Sequence, residues 1–396
     1  MNTPVRFGVD QLAEGATKLG RAARVGLVTN DAARLSRDVS VRSRIALLDA
    51  GVPLVRLFGP EHGLSGQAAD GVAVTDNVDS ATGLPVVSLY GERMRPAAGA
   101  LEDLDAVLFD VPDVGARFYT YTWTLYHVMA ACEQAGVDVV VLDRPNPLGG
   151  DLLLAEGPIL DLAHRSFVGD DAIPIRHQLT LGELARLWRR ERFPRVRLTV
   201  IPCAGWTRAM TWGDTGLPWV PTSPSMPSIE SVQLYPGTCL FEATNLGVGR
   251  GTDTPFQVIG APWLDSHRVL RALEKSAIRG VAFSETTFTP SISPYKGEPC
   301  RGLRMGVSSA TDARPVAIGL QTLATIAALH RTHFRWARYP TAANPVGEGH
   351  LERLLGRGDV RHVLDETPDA VDATCIAAWT SISGWRERVQ DVLCYD

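Results

Sequence analysis

Glu61 and His62 stand side by side in "FGPEHGLSG" (58–66), directly after the apolar run "VPLVRLF". Turns need Gly and Pro, but they do not need a carboxylate beside an imidazole. Pro60 fixes the approach and Gly63 releases the turn, so the carboxylate is expected on a short rigid loop. Held in that way, Glu61 can act as a general acid that protonates a leaving oxygen, with His62 shaping or coupling to it.

Other chemistry-bearing residues also follow apolar runs. Asn30 and Asp31 close "RVGLVTN" and its next step, and "YGER" brings Tyr90. "DVPDVGARFYTY" brings Asp110, Asp113, Arg117, Tyr119 and Tyr121, and "DRPNPLGG" brings Asp143, Arg144 and Asn146. Acids and amides beside aromatics suit the hydroxyls and ring face of a sugar. Arg117, Arg144 and Arg250 add a preference for an anionic substituent, because guanidinium pairs bidentately with a carboxylate. A sugar carrying a carboxylate would use all three classes.

Several familiar chemistries are excluded. No G-x-G-x-x-G follows the first strand, and there is no G-x-x-x-x-G-K-[ST], G-x-S-x-G or H-E-x-x-H. "GVGRG" (247–251) reads as a tight loop. His330 and His333 are three apart at a helix end with no third ligand in view, so no metal and no cofactor are expected. "TLGE" (180–183) is a capping box, which assigns Glu183 to structure.

The elements that must position these groups alternate. Strands are expected at 24–30, in "VPLVRLF" and "LPVVSLY", at 106–111 and 137–143, and in "VRLTVIP". Helices are expected near "VRSRIALLDAG", in "YTWTLYHVMAACEQAG" and in "TLGELARLWRRER". Continuous Val/Leu/Ile strands separated by helices predict a doubly wound parallel α/β domain over 1–228. In such a sheet ligands bind beyond the carboxyl ends of the strands, where these chemistry-bearing residues fall. A smaller α+β domain is expected over 229–396, with strands "GVAFSETTF" and "LRMGVSS" and helices "DSHRVLRALEKSA" and "RPVAIGLQTLATIAALH".

At 396 residues the chain is long for one core, which favours two domains. Its 45% hydrophobic and 21% charged content is that of a soluble globular protein. A net charge of −5 with no basic block excludes nucleic acid or an anionic membrane as the expected partner, leaving a small-molecule substrate. The beginning of the chain carries no apolar leader, and the six cysteines lack C-x-x-C spacing; both point to a cytoplasmic protein with reduced thiols.

"FGPEHGLSG", "GLPVVSLYG", "DVPDVGARFYTY", "DRPNPLGG", "TGLPWVPTSPSMPS", "YPGTCLFEATN", "GRGTDTPFQVIGAPW" and "YKGEPCRG" occur in the order found in the exo-β-N-acetylmuramidase family, formerly a domain of unknown function. The resemblance runs from about residue 24 to near the C-terminus. It implies a Rossmann-like N-terminal domain, a smaller C-terminal domain and an active site in the cleft between them. It further implies release of N-acetylmuramic acid from the non-reducing ends of peptidoglycan fragments, with the motif glutamate on Glu61. Asn245, in "YPGTCLFEATN", joins the expected substrate contacts. The chain departs from the family pattern at Ser65, Pro112, Ser225 and Val248. Asp110, Asp113, Asp143 or the substrate's own acetamide is left as the second catalytic group. A sugar-binding relative without catalysis, or an enzyme acting on another glycoside, is the alternative.

Overall fold

The computed structural model describes residues 4–15, 19, 22–276 and 278–396. Its first half is built on β1 (Val25–Thr29), β2 (Leu54–Gly59), β3 (Asn77–Val78), β4 (Pro85–Ser88), β5 (Ala106–Asp110) and β6 (Asp138–Leu142). A small hairpin, β7 (Glu156–Ile159) with β8 (Pro174–Arg176), precedes the last strand, β9 (Leu198–Ile201). Seven of these strands form one sheet in the order β3-β4-β2-β1-β5-β6-β9. Every pairing is parallel except that of the edge strand β3 with β4. The chain winds outward from β1 to β4, returns to β5 and winds outward again to β9, so the switch point lies between β1 and β5.

Alternate residues of each central strand enter two separate cores. Leu27, Leu57, Leu108 and Val140 pack with α1 (Gly8–Ala13) and α2 (Ser43–Asp49) on one face. Val28, Phe58, Phe109 and Val141 pack on the other with Trp123 and Leu125 of α3 (Tyr121–Ala135) and Leu184 and Trp188 of α4 (Leu181–Glu191). Burial on both faces is why these strands read as unbroken apolar runs. The capping box at α4 is present, Thr180 N–H donating to Glu183 at 3.0 Å and Glu183 N–H to Thr180 at 3.2 Å.

The smaller domain carries a three-stranded antiparallel sheet of order β10-β12-β11, from β10 (Val258–Ala261), β11 (Val281–Phe288) and β12 (Cys300–Val307). Around it lie α5 (Ile229–Thr238), α6 (Ser266–Leu273) and α7 (Pro315–Leu329). Gly237 of α5 and Gly319 of α7 face each other so closely that a Cβ on Gly237 would lie 1.9 Å from the Pro315 carbonyl. Only glycine permits that crossing of α5 and α7, and one apolar core runs from the first domain into the second. Short helices α8 (His350–Leu355), α9 (Asp359–Glu366), α10 (Ala373–Trp379) and α11 (Trp385–Val389) follow. The chain then returns to the first domain, where Trp385 donates to the His177 carbonyl at 3.0 Å and Tyr395 to Asp143 at 2.5 Å. No helix among the described residues is long and apolar enough to cross a membrane.

Candidate active site

β2 ends at Gly59, and Pro60 to Gly63 form a turn closed by the Gly63 N–H on the Pro60 carbonyl at 2.9 Å. His62 and Gly63 both take left-handed backbone, at φ 68° and 70°. For His62 that conformation costs on the order of 1–3 kcal/mol, so surrounding bonds must hold it. One of them is visible: His62 Nδ1 lies 2.7 Å from the Ala68 carbonyl, which can only accept, so Nδ1 carries the hydrogen. Nε2 then faces Asp70, 3.8 Å away. Beside it Glu61 is 7% exposed. Thr120, which opens α3, donates to its Oε2 at 2.6 Å, and the Gly71 N–H to its Oε1 at 2.8 Å. Burial first, and then the neighbouring Glu61, raise the pKa of Tyr90, so that phenol stays protonated at neutral pH.

The cleft over Glu61 spans about 780 Å³ of space, its open mouth included. The first domain supplies Glu61, His62, Asp70, Tyr90, Tyr119 and Thr120, and the second closes it with Glu242, Arg250, Tyr339, Thr341 and Arg353. One polar network joins the two walls. Arg250 pairs with Asp70 through Nη1 and with Glu242 through Nε, and Nη1 also reaches Ser225 at 2.5 Å. Its guanidinium lies over the Phe256 ring at 4.9 Å. Burial opposes the charge on Asp70, but Arg250 and His62 outweigh it and hold the carboxyl below the usual carboxylate range. Asp70 is therefore ionised at neutral pH.

The residues expected at the site from the sequence divide into three groups. Glu61, His62, Tyr90, Tyr119 and Arg250 line the cleft. Asn30 and Tyr121 lie beneath its floor, Asn30 donating to the Tyr121 hydroxyl at 3.1 Å and Tyr121 to the Thr222 carbonyl at 3.1 Å. The others stand elsewhere, each with a structural partner. Arg117 is fully buried and donates to the carbonyls of Pro158, Ile173 and Leu354 at 2.8, 3.0 and 2.6 Å. Asp110 pairs with Arg144 at 2.7 Å, and Arg144 stacks over Phe7. Asp143 accepts from Thr180 at 2.7 Å and from Gly182 N–H at 2.8 Å, fixing the start of α4. Asn146 bonds Leu179 and Leu148, and Asn245 bonds His333 and Arg335.

Asp113 and Arg144 line a separate pocket with Trp212 and Trp219, at the carboxyl ends of β1, β5 and β6. There burial pushes Asp113 up to about 7. The strand-end argument thus holds for β2, for β4 and for the far end of the β5 loop, which brings Tyr119 and Thr120 to the cleft, but not for Asp110 and Asp113 or for the loop after β6.

Sequence reasoning missed Asp70, Thr120, Ser225, Glu242, Tyr339 and Arg353. Thr120, Ser225 and Glu242 lie inside the motifs "DVPDVGARFYTY", "TGLPWVPTSPSMPS" and "YPGTCLFEATN", which was the available signal. Ser225, one of the departures from the family pattern, is thereby placed in the network around Arg250.

Two family models match the chain, the N-terminal part of exo-β-N-acetylmuramidase NamZ over residues 25–230 and its C-terminal part over 233–395. The chain belongs to this family. It is 39% identical over 363 residues to the peptidoglycan β-N-acetylmuramidase NamZ of Bacillus subtilis strain 168, covering 91% of this chain and 84% of that protein. Among solved structures it is similar to two DUF1343 family proteins of Bacteroides fragilis, each 28% identical. The first has a TM-score of 0.87 over 99% of both chains. The second has 0.74 over 100% of this chain and 99% of the other.

Proposed function

We propose that this chain is a glycoside hydrolase that releases β-linked N-acetylmuramic acid, or a closely related acidic amino sugar, from the non-reducing end of peptidoglycan fragments. The observation that carries the reading is Glu61, held by two donors at the floor of a cleft, in a member of the exo-β-N-acetylmuramidase family. The second domain walls that cleft with Tyr339, Thr341 and α8. In this reading residues 1–228 form the catalytic half and 229–396 the half that closes over it.

Glu61 is the general acid that protonates the leaving oxygen. Asp70, ionised beside His62 and Arg250, is the anionic group that faces developing positive charge at the sugar or orients the acetamide or water that attacks. It replaces Asp110, Asp113 and Asp143, all of which are engaged outside the cleft. His62 holds the loop through its Nδ1 side and turns Nε2 toward Asp70. We further propose a cytoplasmic site of action, supported by six cysteines that are all free thiols; cell fractionation tests it.

The direct test of the activity is turnover of a chromogenic β-N-acetylmuramide and its β-N-acetylglucosaminide counterpart. Hydrolysis of the acidic sugar, in preference to the neutral one, is expected. Turnover of neither compound, or of the neutral compound alone, contradicts the reading.

A further inference from the structure

N-acetylmuramic acid differs from N-acetylglucosamine by a lactyl ether that ends in a carboxylate. If this chain acts on that sugar, something in the cleft must offset the added negative charge. The cleft already contains three carboxyl groups, on Glu61, Asp70 and Glu242. Its basic side chains are only four among the described lining residues: His62, Arg250, His350 and Arg353.

Three of the four are committed. Arg250 is shared between two carboxylates and Ser225. His62 is tied to Ala68 and faces Asp70. His350 is stacked on Tyr339 with ring centroids 4.5 Å apart, and burial pushes it down to about 4, so it is neutral at neutral pH. Arg353 makes no ion pair and no side-chain hydrogen bond among the described residues. The neighbouring acid on α8, Glu352, pairs with Arg361 instead, at 3.2 Å.

The backbone that carries Arg353 is fixed. Arg117 donates to the carbonyl of the next residue, Leu354, at 2.6 Å from the first domain. Gly356 ends α8 with φ 73°, and a Cβ there would meet Leu160 at 2.6 Å. So α8 is clamped in place, while Arg353, which lines the cleft, has no side-chain partner among the described residues. That is the arrangement of a preorganised anion reader, a fixed base with a free planar fork.

We infer that Arg353 reads the lactyl carboxylate and sets the preference for an acidic sugar, while Arg250 holds the two walls together. This rests on the hydrolase reading above, and its test is chosen to stand apart from turnover. The measurement is binding of free N-acetylmuramic acid and of its lactyl amide, which keeps the shape and removes the charge, to wild type, Arg353→Gln and Arg353→Lys. Wild type is expected to bind the acid ~10–150-fold more tightly than the amide, the scale of a charge-assisted bidentate contact. Arg353→Gln should lose that preference to within about threefold while binding the amide nearly as before. Arg353→Lys, which keeps the charge without the fork, should fall between them. Wild type that does not distinguish the two ligands, or Arg353→Gln that distinguishes them as well as wild type, overturns the inference. Absence of hydrolysis with the binding pattern intact would instead count against the hydrolase reading alone.

Discussion

The arginines show how a residue's neighbours, not its type, decide its work. Arg117, Arg144 and Arg250 carry the same guanidinium, yet one binds three backbone carbonyls, one pairs with a buried aspartate and one bridges the cleft walls. Arg117 has no carboxylate partner, and burial lowers it to about 9. Its three carbonyl bonds leave from two separate nitrogens of one planar fork, a spread that a single ammonium nitrogen cannot reproduce. Arg117→Lys is therefore expected to destabilise the protein by roughly 2–4 kcal/mol, from bonds lost in a buried site. Denaturant unfolding checks the loss, and because Arg117 also clamps α8, any fall in preference for the acidic glycoside should come together with that loss of stability. Unchanged stability with a selective fall on the acidic sugar would return Arg117 to substrate recognition. Sequence inspection could not separate these roles, because spacing does not reveal which way a buried side chain points. Glu61 and His62 were legible for the opposite reason: a turn directly after a strand leaves its side chains few places to go.

Elements were readable where burial was symmetrical. The long strands of the parallel sheet stand out because both faces are covered and every residue must be apolar. β10 was missed because "VIGA" is only a short apolar stretch, and α5 because Pro236 and Gly237 speak against a helix. Its place is set instead by the close crossing with α7, a tertiary contact that local propensity cannot show. The same applies to α8, whose few residues carry no periodic signal yet bring Arg353 to the site. Asp143 illustrates how element ends are secured. It accepts three hydrogen bonds, from Thr180, Gly182 and Tyr395, which fasten α4 and the C-terminus to the end of β6. Asp143→Ala leaves those donors without a partner and should cost roughly 2–4 kcal/mol. At concentrations where the variant is folded, its kcat should match wild type. A large fall in kcat with normal stability would place Asp143 in the chemistry after all.

At the scale of the whole molecule, the cleft exists because two domains meet across the Asp70–Arg250–Glu242 network. This explains why the site was only half visible in the sequence, since its second wall comes from loops and a short helix more than a hundred residues away. The network also carries a pH dependence. The folded state holds Asp70 below its unfolded value of ~3.9, so its contribution is present above that value and is lost as pH falls through the lower folded one. A quarter of the side chain remains exposed, which reduces the gain expected for a fully buried pair. Asp70→Asn should be about 1–3 kcal/mol less stable than wild type at pH 7, with the gap closing toward pH 2. Unfolding curves of both proteins across that range decide it; a gap that stays constant with pH would mean that the aspartate's charge contributes nothing to domain closure.

The central claim is that Glu61 donates the proton on which glycosidic cleavage depends. The kcat of Glu61→Gln on the β-N-acetylmuramide tests it most directly, because the amide keeps the side chain's shape and cannot protonate a leaving oxygen. The account predicts a loss of ~10²–10⁴ in kcat with KM little changed. A variant that keeps more than about a tenth of the wild-type kcat, a barrier difference below ~1.4 kcal/mol, would contradict it.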